Sequence, residues 1–143
     1  MHKAITSAIL LTLCAIAPAA AGDPGGKWLT QDGKAVVNIA RCGAAVCGTI
    51  VSLKEPNDPQ TGKPKTDGHN QDAAKRSRPI IGLQMFDMKP SGTADRWDGQ
   101  VYNAEDGKTY TGSLTLTGAT TLDLQGCALA GLICKTQTWT RAK

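Results

Sequence analysis

The residues best suited to chemistry lie in one stretch, 67–82, which reads DGHNQDAAKRSRPIIG. Within it Arg76 and Arg78 are the foremost candidates, because a guanidinium presents a planar fork of donors that suits carboxylates and phosphates. Pro79 favours an extended conformation in the residue before it, and alternate residues of an extended segment share a face. The spacing therefore predicts that both arginines point the same way, toward an anion or toward acids of the same stretch.

The acids and the amide of this stretch have two interpretations. Asp67, Asn70 and Asp72 offer hard oxygen ligands, but they lack the regular alternation and the closing Glu of a calcium loop. Asp and Asn more commonly cap the backbone of a loop or of a short helical turn, such as one over 73–76. We therefore predict no metal site, and expect Asp67 or Asp72 to pair with the arginines.

A catalytic role is not predicted. His69 is the only histidine besides His2, and a triad with Ser77 would need a supporting motif such as G-x-S-x-G, which the chain lacks. A solvated loop histidine is the simpler interpretation, because a catalytic base has to be held in place before its pKa matters. We expect a non-enzymatic protein without a cofactor.

The N-terminal residues are typical of a secretory signal peptide. Lys3 supplies a positive charge, an apolar run follows over 5–16, and small residues end at Ala21. We expect cleavage after Ala21 and a periplasmic or secreted domain over 22–143. The run is shorter than the roughly 20 residues of a membrane span, so no transmembrane segment is predicted.

Charge and cysteine content add two expectations. Loss of Lys3 leaves 15 basic against 12 acidic residues, a mild excess that does not indicate a nucleic-acid partner. Four cysteines remain, and an even number in an exported chain predicts disulfides. Each of two pairs brackets a turn-like segment, which predicts Cys42 with Cys47 and Cys127 with Cys134. Their spacing does not fit a four-cysteine zinc site.

Hydrophobic alternation with a period of two dominates the chain and predicts strands. In 109–117, Tyr110, Leu114 and Leu116 alternate with threonines and a serine. Eight strands are predicted, over 26–30, 35–41, 46–53, 80–88, 96–102, 109–117, 121–125 and 135–141. Eight antiparallel strands with short connections close most economically into one all-β up-and-down barrel, because closure removes exposed edges. The proline-containing connection 54–79 is too long for a plain link and predicts a functional loop.

The two ends of the predicted barrel resemble the calycin arrangement of lipocalins and fatty-acid-binding proteins. A G-x-W motif starts the first strand with Trp28, and Trp139 and Arg141 lie in the last. The resemblance implies that Trp28 and Trp139 close one end and that Arg141 packs across an indole ring. Such a contact stabilises by roughly 0.5 to 2 kcal/mol.

A wider pattern resembles a family of short exported bacterial proteins known as domain of unknown function 2147. It comprises seven motifs along the chain. They are G-x-W at 26–28, C-G at 42–43 with C-G-T-I at 47–50, D-x-x-N at 67–70, R-x-R-P-I-I-G at 76–82, W-x-G-x-V-Y at 97–102, D-G-K-x-Y at 106–110 and Q-x-W-x-R at 137–141. One departure is Asn103-Ala104, where the family tends to have a proline in a turn. The resemblance implies a lipocalin-like barrel and no established activity.

Together these features predict a barrel that binds a small amphipathic or anionic molecule at its mouth. The loop 54–79 would cover the ligand, with Asp67, Asn70, Arg76 and Arg78 as contacts and Trp97 and Tyr102 as walls. Glycines at 48, 82, 99 and 112 leave open whether the interior is hollow or filled. The alternative is a cell-envelope protein–protein interaction or inhibitor module that presents the same loop.

Overall fold

The structure is a closed barrel of eight antiparallel strands in a computed structural model that describes Cys14 and residues 22–143. The strands are β1 (Gly26–Leu29), β2 (Ala35–Cys42), β3 (Ala45–Leu53), β4 (Gln84–Pro90), β5 (Arg96–Asn103), β6 (Lys108–Leu116), β7 (Thr121–Ala128) and β8 (Ile133–Arg141). Each pairs with its neighbour in sequence, and β8 returns to β1. The predicted all-β up-and-down barrel is confirmed. The predicted signal peptide lies at 1–21, outside the described residues except for Cys14, and stays a prediction.

The start of β4 is the main correction to the predicted strands. The apolar run from Ile80 was assigned to this strand, but β4 begins only at Gln84. Ile80 and Leu83 instead form a turn in which the Leu83 N–H donates to the Ile80 carbonyl at 3.0 Å. Gly82, at φ +96°, supplies the left-handed residue of this turn. The long connection therefore runs over 54–83.

Both predicted disulfides are confirmed, and they lie at opposite ends of the barrel. Cys42 is bonded to Cys47 across the β2–β3 turn, and Cys127 to Cys134 across the β7–β8 turn. Because successive strands reverse direction, these two turns cannot share an end. We call the end with the β7–β8 turn the upper end; the long loop and the β5–β6 turn also belong to it.

The lower end is closed by Trp28 and Arg141. The Arg141 guanidinium carbon lies 4.4 Å from the centroid of the Trp28 ring. Arg141 also donates to the carbonyls of Gly25, Asp23 and Ala119 at 2.7, 3.0 and 2.8 Å. One guanidinium thus joins the N-terminal segment, the last strand and the β6–β7 turn.

The interior is filled rather than hollow along the strand glycines. Phe86 lies directly over Gly48, where any side chain would overlap its ring. Met88 lies over Gly99 and Gly112, with its Cε 2.8 Å from where a Cβ of Gly112 would be. These glycines accommodate core side chains. The fully buried residues with the largest volumes are Trp28, Trp139, Ile39, Met88, Leu114, Leu122, Val37 and Asp67.

We expect Gly48→Ala to destabilise the barrel by about 1–3 kcal/mol, because the added methyl group meets the Phe86 ring in a filled core. The measurement is urea unfolding. Gly68→Ala is the matched control, since a Cβ there meets nothing within 4 Å, and it should stay within about 0.5 kcal/mol of wild type. Phe86→Leu should recover part of the loss in the Gly48→Ala background. Wild-type stability of Gly48→Ala would contradict the packing described.

Candidate functional site

The long connection over 54–83 is held by its own hydrogen bonds and by the barrel. Isolated bridges join Asn57 to Pro64 and Thr66 to Pro79. At its C-terminal end Leu83 is buried in the core, and the Gly82 N–H donates to the Ile50 carbonyl of β3 at 2.7 Å. The loop is therefore a folded element with a defined position against the upper end.

A single 3₁₀ turn at Ala73–Lys75 shapes the middle of the loop. The Asp72 carboxylate accepts the Ala74 N–H at 3.0 Å, and the Asn70 side-chain oxygen accepts the Asp72 N–H at 2.8 Å. The capping roles expected for Asn70 and Asp72 are present. The turn also corrects one expectation: Arg76 has helical backbone angles, so 76–78 is not extended and does not place both arginines on one face.

The centre of the site is the carboxylate of Asp67, which has no exposed surface. Its Oδ1 accepts the Tyr102 hydroxyl at 2.6 Å. Its Oδ2 accepts the Asn70 amide at 2.8 Å and the Arg78 Nε–H at 2.8 Å. The Asn70 amide also donates to the Tyr102 hydroxyl at 3.0 Å, so the four side chains form one connected network.

These contacts keep the buried carboxyl ionised. Burial by itself would raise the pKa of Asp67, but the hydrogen bonds from Tyr102, Asn70 and Arg78 and the Arg78 charge outweigh it, so the pKa is lowered. Burial and the neighbouring Asp67 carboxylate raise the pKa of the Tyr102 phenol. Tyr102 therefore stays a neutral donor and Asp67 a charged acceptor at neutral pH.

The two arginines have different surroundings. Arg78 is bound to Asp67 through Nε only, its side chain is 37% exposed, and its guanidinium carbon lies 5.5 Å from the Tyr102 ring centroid. Arg76 donates its Nε–H to the Asn70 carbonyl at 2.8 Å and so fastens the loop backbone. Among the described residues, the terminal nitrogens of Arg78 make no hydrogen bond to protein. They remain available to a ligand.

An open cleft of about 830 Å³ borders this network. Its lining combines the loop, both faces of β6 at its upper end and the β7–β8 turn: Asn70, Gln71, Asp72, Lys75, Arg78, Gln84, Tyr102, Gly107, Lys108, Thr109, Tyr110, Thr111, Cys127, Ala128, Leu129 and Ala130. Thr109 and Tyr102 are paired in register, on the face opposite to the buried Val101, whereas Tyr110 is paired with Val101 and lies on the inner face. The cleft therefore lies at the upper rim of the barrel and includes part of the outer wall.

The structure brings together four of the six predicted ligand residues. Asp67, Asn70, Arg78 and Tyr102 form the network, while Arg76 lies behind it and does not line the cleft. Trp97 is buried in the core, on the opposite face of β5 from Tyr102 and five residues away. The cations Lys75 and Lys108 also line the cleft, but neither was predicted as a ligand contact; Lys108 entered only as part of the family pattern D-G-K-x-Y.

The loop is pressed against the β5–β6 turn at Gly107. A Cβ at this residue would overlap the carbonyl oxygen of His69, and the φ of Gly107 is +71°. The residue pair Asp106-Gly107 signals a turn, but only the structure shows that this glycine also admits the loop backbone. The loop is thus held by Tyr102 on β5 and by Gly107 in the turn that follows this strand.

Residues 22–143 contain neither a metal-binding cluster nor a membrane-spanning helix. No group of three or more His, Cys, Asp or Glu side chains in this part of the chain is placed to hold a metal ion. Among the same residues, no helix has the length and apolarity needed to cross a membrane.

We expect Gly107→Ala to destabilise the protein by more than Gly33→Ala. Both glycines have the same backbone strain for an L residue, at φ +71° and +70°, but a Cβ at Gly33 meets nothing within 4 Å. Gly33→Ala should lose about 1–2 kcal/mol, and Gly107→Ala about 1–3 kcal/mol more because the loop must shift. Denaturant unfolding measures both. Equal losses would show that the His69 contact contributes nothing.

The stability contributed by Asp67 should depend on pH. Because its folded-state pKa is lowered, the contribution is fully present above the ordinary Asp value of 3.8 and is lost as pH falls through the lower folded value. Asp67→Asn should lose about 1–3 kcal/mol at neutral pH, and the difference from wild type should shrink in acid. Urea unfolding at several pH values tests this. The exposed Asp98→Asn is the control, and a pH-independent difference for Asp67→Asn would contradict the assignment.

The comparison with solved structures finds the same fold in a protein of the human pathogen Helicobacter pylori that belongs to the lipocalin family. The two chains are 24% identical, the TM-score is 0.69, and the match covers 85% of this chain and 84% of the other. The lipocalin-like architecture expected from the sequence is thereby confirmed. A search of curated proteins finds no match.

The family expected from the sequence motifs is also confirmed. The match extends over residues 26–141, from the first residue of β1 to the last residue of β8. It includes the loop with the Asp67 network and the two disulfides. This protein therefore belongs to DUF2147, a family described as uncharacterized proteins conserved in bacteria.

Proposed function

We propose that this protein is a non-enzymatic binding protein for a small amphipathic anion, which it takes in the outer cleft at the upper end of the barrel. The observation that carries the proposal is the position of Arg78. Its Nε–H is fixed by the buried Asp67 carboxylate, its terminal nitrogens make no hydrogen bond among the described residues, and the residue lines the cleft. An arginine held in this way loses little side-chain freedom when it binds an anion.

The charges around the cleft support an anionic head group. Lys75, Arg78 and Lys108 line it together with a single acid, Asp72. The Asp72 carboxylate is engaged in capping the 3₁₀ turn. Asp67 is neutralised by Arg78 and has no exposed surface, so it does not oppose an incoming anion.

The cleft also offers apolar surface for the rest of the ligand. Leu129, which is 66% exposed, lines it next to Ala128 and Ala130, and Tyr102 is also part of the lining. A short alkyl or aromatic group can bury part of this surface while the anion meets Arg78. At about 25 cal/mol per Å² of apolar area, such burial adds to affinity without fixing orientation.

The ligand is expected at the upper rim of the barrel and not deep in its interior. The interior is occupied at Gly48, Gly99 and Gly112 by Phe86 and Met88. We propose no reaction at this site. The His69 side chain takes part in no hydrogen bond among the residues that the structure describes, and the contact with Gly107 is made by the backbone carbonyl of His69.

The proposed compartment is the periplasm or the exterior of the cell. The signal-like residues 1–21 favour export. The two disulfides support an oxidising compartment, where such bonds form and persist.

Titration with hexyl phosphate tests the proposal. We expect saturable binding that Arg78→Gln weakens roughly 10- to 100-fold, because a charge-assisted hydrogen bond is lost. Lys75→Gln should weaken binding about two- to fivefold, since its charge is exposed. Isothermal titration calorimetry gives both values.

Two controls make the result decisive. Arg41→Gln removes the same charge at the lower end of β2 and should leave affinity unchanged. Hexyl glucoside, which has a neutral head group, should bind far more weakly than hexyl phosphate. Equal affinity of wild type and Arg78→Gln for hexyl phosphate, with both proteins folded, would overturn the proposal.

A further inference from the structure

Among residues 22–143, strand β8 has an unpaired edge over most of its length. β1 has only four residues, and its pairing with β8 is limited to Trp28 with Arg141 and Leu29 with Thr140. β7, on the other side, pairs with β8 from Ile133 to Thr140. The upper part of β8 is thus a ribbon with β7 that has no strand neighbour on the β1 side.

The direction of the backbone groups identifies which of them are unpaired. The Thr138 N–H donates to the Gln31 side-chain oxygen at 2.8 Å, away from β7, whereas the Arg141 N–H donates to the Thr120 carbonyl. Backbone groups alternate in direction along a strand. Those of Cys134 and Thr136 therefore point to the open side, and within residues 22–143 no strand or loop pairs with them.

The same ribbon carries the most exposed apolar side chains of the described residues. Leu132 is 84% exposed, Leu129 66% and Ile133 55%. Leu129 and Ala130 have φ of +52° and +55°, a strained region for residues other than glycine. The Cys127–Cys134 bond holds this tip in place. Natural proteins ordinarily cover or blunt such an edge.

We propose that the upper edge of β8 binds an extended segment of a partner polypeptide, which adds an antiparallel strand in line with β1. Its backbone pairs with Cys134 and Thr136, and an apolar side chain lies against Ile133. Lys135 is exposed and has no ion pair among the described residues, so the segment carries an acidic residue beside it. This mode of recognition combines backbone hydrogen bonds with alternate side-chain contacts.

Two other occupants fit the edge less well. A lipid surface covers Leu132 and Ile133 but leaves the N–H and C=O groups of Cys134 and Thr136 without partners in hydrocarbon. A second copy paired about a twofold axis at Lys135 sets two like charges opposite each other. With the twofold axis at Thr136, Ile133 of one copy lies opposite Trp139 of the other. The added strand also breaks the hydrogen bond from the Thr138 N–H to the Gln31 side chain.

Amide hydrogen exchange of the free protein tests the unpaired edge. We expect fast exchange at Cys134 and Thr136 and slow exchange at Lys135 and Gln137, which face β7. Equal protection of all four amides would overturn the proposal. Protection of Cys134 and Thr136 that rises with protein concentration would assign the edge to a second copy and would equally overturn it.

Fluorescence polarisation with synthetic peptides tests the partner. The probes are two capped seven-residue peptides in which valine and threonine alternate and the central residue is glutamate. In one the glutamate shares a face with the valines, and in the other it shares a face with the threonines. We expect at least one to bind, with a glutamate-to-lysine exchange and N-methylation of the edge-facing amides each weakening it tenfold or more. No binding by either peptide up to about 1 mM, or equal binding of the N-methylated forms, would overturn the proposal.

Thr136→Pro blocks the edge without removing a β7 hydrogen bond, because the Thr136 N–H points to the open side. It should abolish peptide binding, whereas Thr136→Ala, which loses the same hydroxyl, should retain it. The near-ultraviolet circular dichroism of the buried Trp28 and Trp139, together with urea unfolding, reports whether the variant is folded. Undiminished peptide binding by folded Thr136→Pro would place the peptide elsewhere and overturn the assignment.

Discussion

A carboxylate without exposed surface has to recover its lost hydration from the protein, and this requirement at Asp67 organises the upper end of the barrel. Tyr102 supplies a donor from β5, and Asn70 and Arg78 supply donors from the same loop. The loop can satisfy Asp67 only by lying against the outer face of β5. The position of Arg78 beside the cleft follows from that single constraint.

The packing of the barrel determines where a ligand can be held. Glycines on the inner face leave room beside the strands, and Phe86 and Met88 occupy the space over three of them, so no central cavity forms there. The long loop then lies outside the wall and, together with the β7–β8 turn, forms a cleft against β6. In this protein the interior contributes stability, and the proposed binding surface is built largely from connections at the upper end.

Local patterns were sufficient to predict the strands, the barrel and both disulfides, because alternation, turn residues and short cysteine spacings act within a few residues. They failed at positions whose conformation depends on contacts with residues far away in the sequence. Ile80 and Leu83 have the composition of a strand but form a turn anchored on Ile50. The 3₁₀ turn at Ala73–Lys75, which the Asp72 cap stabilises, leaves Arg76 with helical backbone angles, so Arg76 and Arg78 do not share a face. Tyr102 was predicted to form a wall of the ligand site together with Trp97. Alternation along β5 instead places Tyr102 on the outer face, because Trp97 and Val101 are both buried on the inner face. The cleft joins three segments far apart in sequence, so no local pattern could reveal it.

The central claim is that Asp67 holds the Nε of Arg78 while its terminal nitrogens meet the ligand. Nitrogen-15 labelling of arginine, followed by a titration with hexyl phosphate, tests this at the atoms concerned. We predict that the Arg78 Nη–H resonances shift on saturation, whereas the Nε–H resonance stays at its position and remains protected from exchange. Unchanged Nη–H resonances, or loss of the protected Nε–H resonance on binding, would contradict the account.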